Sequence, residues 1–136
     1  MRIGVVRETG AQERRVAATP ETAKKLKDRG HELLVEAGAG AACSVPDAEF
    51  AAAGATIVDT AAAWGADLVL KVQKPSAAEA EALSRGGILL SFVYPGGDDD
   101  LVAVLRAKAA SVIAMEAVPR ISRAQTMDAL SSMANI

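Results

Sequence analysis

Short aliphatic runs alternate with helical patterns along the whole chain. Six of the runs read as strands: RIGVV (2–6), ELLVE (32–36), ATIVD (55–59), DLVLK (67–71), ILLSF (88–92) and SVIAM (111–115). They are apolar almost without a break, which suits strands covered on both faces, as in parallel sheets. The stretches between them carry helix signals. Thr19 precedes Pro20 at a first helical position, and KKLKDRG brings that helix to Gly30. Ser76 and Glu79 make an S-x-x-E capping pattern for AAEAEALSRG, whose end is marked by Gly86 and Gly87. Asp98, Asp99 and Asp100 load the positive end of the helix DDDLVAVLRAKA. Strand and helix alternate without internal repeats or low-complexity linkers, so the pattern predicts a doubly wound α/β domain with a mostly parallel sheet, Rossmann-like or flavodoxin-like. Ligands of such sheets collect at the carboxyl ends of the strands, and residues just past each strand therefore carry the most weight.

Composition narrows the picture. With 136 residues the chain has one domain's worth of sequence, 51% of it hydrophobic but only 3% aromatic, so the core has to be aliphatic. A net charge of −2 with both signs interspersed gives no footprint for nucleic acid or an anionic membrane. The single cysteine, Cys43, rules out an intramolecular disulfide and suits a reducing cytosol. MRIGVVRE has no apolar stretch long enough for a secretory signal. The longest uncharged apolar stretch, GGILLSFVYPGG, is about half the roughly 20 residues of a spanning helix. Direct membrane insertion is not expected.

Two common chemistries find little support. GAGAAC (38–43) follows a predicted strand, and Asp59 lies about 20 residues on, as a dinucleotide fingerprint asks. Yet Cys43 stands at the third glycine position, and the next helix begins late, at Pro46, with Asp47 and Glu49 in its first turn, where they would repel a pyrophosphate. A glycine-rich turn is the better reading. His31 is the only histidine and has no Cys or His partner at ligand spacing, which argues against zinc and against a Ser-His-Asp triad. Trp64 and Phe50 read as core residues.

Polar groups gather after three strands. The loop RETGAQERRVAATP (7–20) holds Arg7, Arg14 and Arg15, which either grip a carboxylate or carboxamide or are simply solvated. In KVQKP (71–75), Lys71 and Lys74 are anion anchors or ordinary surface lysines. Past the last strand, Arg120 follows Pro119, and Ser122 with Gln125 forms an S-x-x-Q capping box. Gln125, Asp128, Ser131, Ser132 and Asn135 share one sector of that helix, while Met127, Leu130 and Ala134 share another. Such a polar stripe is a solvent face or, since it lacks Lys and Glu, a hydrogen-bonding wall for a ligand or a second domain.

VPRISRAQTMDALSSMANI, together with MRIGVVRE, ERRVAATP, LVEAGAG and LVLKVQKP, resembles the N-terminal domain shared by alanine dehydrogenases and the α subunit of proton-translocating NAD(P) transhydrogenases. The likeness runs over essentially the whole chain. It implies that residues 1–136 form that domain, a fragment ending at the start of the interdomain helix and lacking the following Rossmann domain. It also implies an NAD(H) cleft between the two domains. In transhydrogenases the matching arginine, glutamine, aspartate and first serine line the nicotinamide side, here Arg120, Gln125, Asp128 and Ser131. In alanine dehydrogenases the matching arginine and lysine bind the keto-acid, here Arg15 and Lys71, and an acid/base histidine stands where this chain has Tyr94. Loss of that imidazole removes the group suited to proton transfer at neutral pH, whereas hydride exchange between two nicotinamides needs ring alignment instead. The resemblance therefore implies part of a transhydrogenase that moves hydride between NAD(H) and NADP(H) coupled to proton translocation. No catalytic residue is assigned. Its implied partners are the following Rossmann domain, NADP(H)-binding and membrane subunits and a second copy in a homodimer, on the cytoplasmic side and peripheral to the inner membrane. The alternatives are an alanine-dehydrogenase-type domain and a non-catalytic binding module of the same fold.

Overall fold

The computed structural model describes residues 1–93 and 99–115. All six predicted strands form: β1 (Arg2–Val5), β2 (Glu32–Glu36), β3 (Thr56–Val58), β4 (Leu68–Leu70), β5 (Ile88–Ser91) and β6 (Ser111–Ala114). They make one sheet in the order β3-β2-β1-β4-β5-β6, every pair parallel. Five α-helices connect them: α1 (Pro20–Asp28), α2 (Asp47–Ala52), α3 (Thr60–Trp64), α4 (Ala77–Ala80) and α5 (Asp99–Ala107).

Strand alternation explains how a continuous apolar run is used. Ile3, Val5, Leu33 and Val35 face one side and pack with Ala23 of α1 and Phe50 of α2. Val69 and Leu89 face the other, against Trp64 of α3, Ala80 of α4 and Leu101 and Leu105 of α5. Each face thus has its own helix layer, and the doubly wound reading holds. Trp64 and Phe50 are both core residues.

Local signals place several helix ends. The Thr19 side chain accepts from the Thr22 N–H and Pro20 opens α1. Beyond Asp28 the chain closes through Gly30, whose φ of +93° is strained for residues with a side chain. Ser76 and Glu79 form the reciprocal capping box. The helix it starts is shorter than AAEAEALSRG suggests, and tertiary contacts give the reason. After Glu81 the chain tightens into turns that deliver Leu83 to the core and let the Ser84 hydroxyl donate to the Gly65 carbonyl at 2.7 Å. The glycine-rich segment is a turn with one short 3-10 stretch, Ala41–Cys43.

Candidate functional site

Strand order reverses between β1 and β4, so the segments leaving these two strands diverge and leave a crevice at their carboxyl ends. Both segments are polar, and two carboxylates organise them.

Lys71 continues the β4 ladder, its N–H donating to the Leu90 carbonyl at 3.0 Å. Two residues past Val69, it points to the face that carries α4. Its Nζ lies 2.7 Å from Glu8 Oε1 and 4.0 Å from Glu79 Oε2. Glu8 also accepts from the N–H groups of Val72 at 2.8 Å and Gln73 at 3.0 Å. The Lys71 and Glu8 side chains are 1% and 2% exposed, so the pair persists out of water only because its oxygens are so fully engaged. Lys71 is thus inside the domain, not on its surface. Its charge is answered by Glu8, and an external anion would have to compete with that carboxylate.

Glu13 organises the outer rim. It accepts from the Arg15 N–H at 3.0 Å, from Arg15 Nη2 at 2.6 Å and from Gln73 Nε2 at 2.7 Å. Hydrogen bonds from the Arg15 side chain, opposed by burial and helped by the Arg15 N–H and the Gln73 amide, lower the Glu13 pKa from 4.5 to about 2. Arg15 lines two adjoining crevices of about 450 and 550 Å³, the first shared with Arg7 and Thr9, the second with Gln12 and Gln73.

A third carboxylate explains what this sheet does not hold by itself. In dinucleotide-binding domains of this strand order, an acidic residue reached after the first β-α unit bonds the adenosine ribose. Glu36 ends β2 here, but its oxygens accept from the Arg7 N–H at 3.0 Å and the Thr60 hydroxyl at 2.9 Å. The glycine-rich turn is likewise committed internally, because the Gly38 N–H donates to Asp47 Oδ1 at 3.0 Å. Both acids are thus bonded within the domain. Arg15 lines crevices at the rim.

Sequence reasoning singled out Arg15 and Lys71; Arg15 lines the crevice, whereas Lys71 is buried and reaches it only through Glu8, which lines the crevice beside Arg15. Arg7 lines the crevice too, whereas Arg14 is exposed and lines a smaller pocket with Arg15, Val16 and Cys43. Glu8, Glu13, Glu36 and Gln73 were not singled out. Their only sequence signal is position, in the segments that follow β1 and β4 or at the last residue of β2, and reading it requires the strand order. His31 sits at the opposite, amino end of β2 with Nδ1 buried and unbonded. No group of three or more metal-ligating side chains occurs among the described residues. Tyr94, Arg120, Gln125, Asp128 and Ser131 lie outside the described residues.

Comparison with known proteins places this geometry. The chain is 49% identical over its whole length to the NAD(P) transhydrogenase subunit alpha of Cereibacter sphaeroides, of which it covers 26%. To the alanine dehydrogenase of Mycobacterium tuberculosis it is 49% identical over 69% of this chain and 26% of that one. The crystal structure of transhydrogenase from Sinorhizobium meliloti superposes with a TM-score of 0.92 at 39% identity, covering 99% of this chain and 41% of that one. The chain therefore spans about a quarter of the length of these curated relatives. Residues 4–136 match the family described as alanine dehydrogenase/PNT, N-terminal domain, and the chain belongs to that family.

Proposed function

We propose that this chain is the N-terminal part of the NAD(H)-binding unit of a NAD(P) transhydrogenase α subunit. On this reading it forms one wall of a cleft whose other wall is a following dinucleotide-binding domain. The observation that carries the reading is the 49% identity to the Cereibacter sphaeroides α subunit over 100% of this chain. The local geometry fits half a site: Glu36 and Asp47 are committed internally, so adenosine and pyrophosphate belong to the other wall, while the rim around Arg15 suits the nicotinamide end. Bound NAD(H) supplies the hydride donor or acceptor carbon, exchanged with NADP(H) held by another part of the assembly. The residues of this chain then have to hold and orient the ring. Arg120 offers a planar fork of donors, Gln125 an amide, and Asp128 and Ser131 further polar groups along the same helix sector. No proton relay is required of them, which is consistent with Tyr94 standing where alanine dehydrogenases carry a histidine.

This reading brings partners with it: an NADP(H)-binding component, a membrane component that couples proton translocation, and a second α subunit. It places the chain on the cytoplasmic side, peripheral to the inner membrane. No helix among the described residues is long and apolar enough to cross a membrane.

An alanine-dehydrogenase-type domain is the second reading, favoured by Lys71 lying behind Glu8 at the crevice that Arg15 lines and by the Mycobacterium tuberculosis relative. Two assays on the full-length protein separate them. Reduction of NADP⁺ or an analogue by NADH, without alanine-dependent reduction of NAD⁺, is the expected result. Alanine-dependent reduction would overturn the transhydrogenase reading, and neither activity would point to a non-catalytic module.

A further inference from the structure

Few large hydrophobic side chains are exposed, and most of those lie at one edge of the sheet. Beyond Met1, the exposed ones among the described residues are Val102 of α5 at 39% and Val112 and Ile113 of β6 at 38% and 47%. An exposed apolar residue is ordinary by itself, whereas a group of them in one place marks a contact surface. β6 closes the sheet at this end and is bonded to β5 on one side only. The Ser111 N–H donates to the Gly87 carbonyl at 2.9 Å, so Ser111 and Ile113 turn their backbone groups toward β5. Val112 and Ala114 alternate with them and turn theirs outward. Edge strands are usually protected by a charge, a proline or a bulge, and Ser111–Ala114 has none of these. At the opposite edge, β3 keeps Ile57 and Val58 half-buried.

α5, which leads into this edge, carries Asp99, Val102 and Arg106 on one stripe, at spacings of three and four residues. Asp99 in its first turn and Arg106 in its last are both exposed. The stripe is therefore acidic at one end, apolar in the middle and basic at the other, and it complements its own copy turned through a half rotation. We propose that the β6–α5 edge is a two-fold interface with a second copy of this chain. The two β6 strands pair antiparallel about Ile113. Val112 exchanges backbone hydrogen bonds with the partner's Ala114, and the two Ile113 side chains meet at the axis. The two α5 helices then run antiparallel on one face of the joined sheet. Asp99 faces the partner's Arg106, with the Val102 side chains between them. Strands lie about 4.8 Å apart, so helices that each bridge β5 to β6 would stand roughly 10 Å apart, the distance at which helices pack. The inference deepens the proposed function, which calls for a second copy without locating it, and rests on that reading to this extent.

Sedimentation of the full-length protein over a range of concentrations tests this. The native protein should be a dimer, and Ile113→Lys, which sets two like charges together at the axis, should weaken it at least about tenfold. Arg106→Glu and Asp99→Lys should each weaken it as well, whereas the two together should return it to within about threefold of native. Both changes oppose the α5 dipole, so damage confined to the helix would add in the double variant and could not cancel. Ile113→Cys is a milder probe. In a non-hydrogen-bonded antiparallel pair the Cα atoms lie about 4.5 Å apart, within disulfide reach, so mild oxidation should join two chains through the introduced thiols. Unchanged dimerisation in Ile113→Lys, or no cross-link in Ile113→Cys, would overturn the surface and leave the proposed function standing; the edge would then be covered by the chain's own residues 116–136 or by another segment. A monomeric native protein would overturn the surface and the second copy together, and the hydride-transfer assay would still decide the function separately.

Discussion

At the residue scale, the buried Lys71–Glu8 pair and the Glu13 cluster respond to different perturbations. Lys71→Met keeps much of the side-chain shape but leaves Glu8 charged and nearly inaccessible, with only its two N–H donors. Removing one partner of such a pair costs about 3–5 kcal/mol, so the denaturation midpoint should fall sharply. Adding Glu8→Gln removes the orphaned charge and should recover at least about half of that loss. An unshifted midpoint in Lys71→Met would make the pair dispensable. Glu13 instead predicts a pH effect. Its folded pKa of about 2 lies below the ordinary 4.5, so the unfolded chain takes up a proton first as pH falls. The stabilisation is full above about pH 4.5 and is lost as pH drops toward 2. Arg15→Ala removes the largest cause of the shift. The melting temperatures of native protein and Arg15→Ala should therefore differ at pH 6 and converge as pH approaches 2, and parallel curves would contradict the assignment.

Among elements, the contact between β1 and α3 has the least tolerance. A Cβ added to Gly4 would fall on the carbonyl oxygen of Ala63 and close to the Ala66 methyl. A backbone atom cannot swing aside as a side chain can, so relief would require α3 to lift from the sheet and loosen Trp64 beneath it. Overpacking of this kind costs about 1–3 kcal/mol and sometimes more. Gly4→Ala should lower stability by at least about 3 kcal/mol in chemical denaturation. The RIGVV run shows only an apolar strand with a small residue in it. That the glycine is needed follows from the helix that crosses over it.

For the whole molecule, the internal commitment of Glu36 and Asp47 bears on the proposal that the chain is one wall of a cleft. Adenosine and phosphate contacts normally supply much of a dinucleotide's affinity, and among the described residues Glu36 and Asp47 are already bonded within the domain. The 136-residue chain should therefore bind NADH far more weakly than the full-length protein and show no hydride transfer. Micromolar binding by the chain in a fluorescence titration would overturn the half-site reading.

The amino-acid sequence by itself determined the local architecture. Continuous apolar runs marked six strands to within two residues at either end, Thr19 with Pro20 and Ser76 with Glu79 marked helix starts, and their alternation gave the doubly wound class. Those features are legible because periodicity and capping act over a few neighbouring residues. Arg15 and Lys71 were legible as charged residues past strand ends, and as members of a family motif. Their partners were not. Glu8 meets Lys71 across 63 residues, and Glu13 meets Gln73 across 60, because the sheet sets β1 beside β4. Read alone, an acid in a loop with arginines is a solvated charge. Only the strand order, chosen by how each sheet face buries its helices, turned Lys71 inward and left Arg15 and Gln73 sharing one carboxylate at the rim.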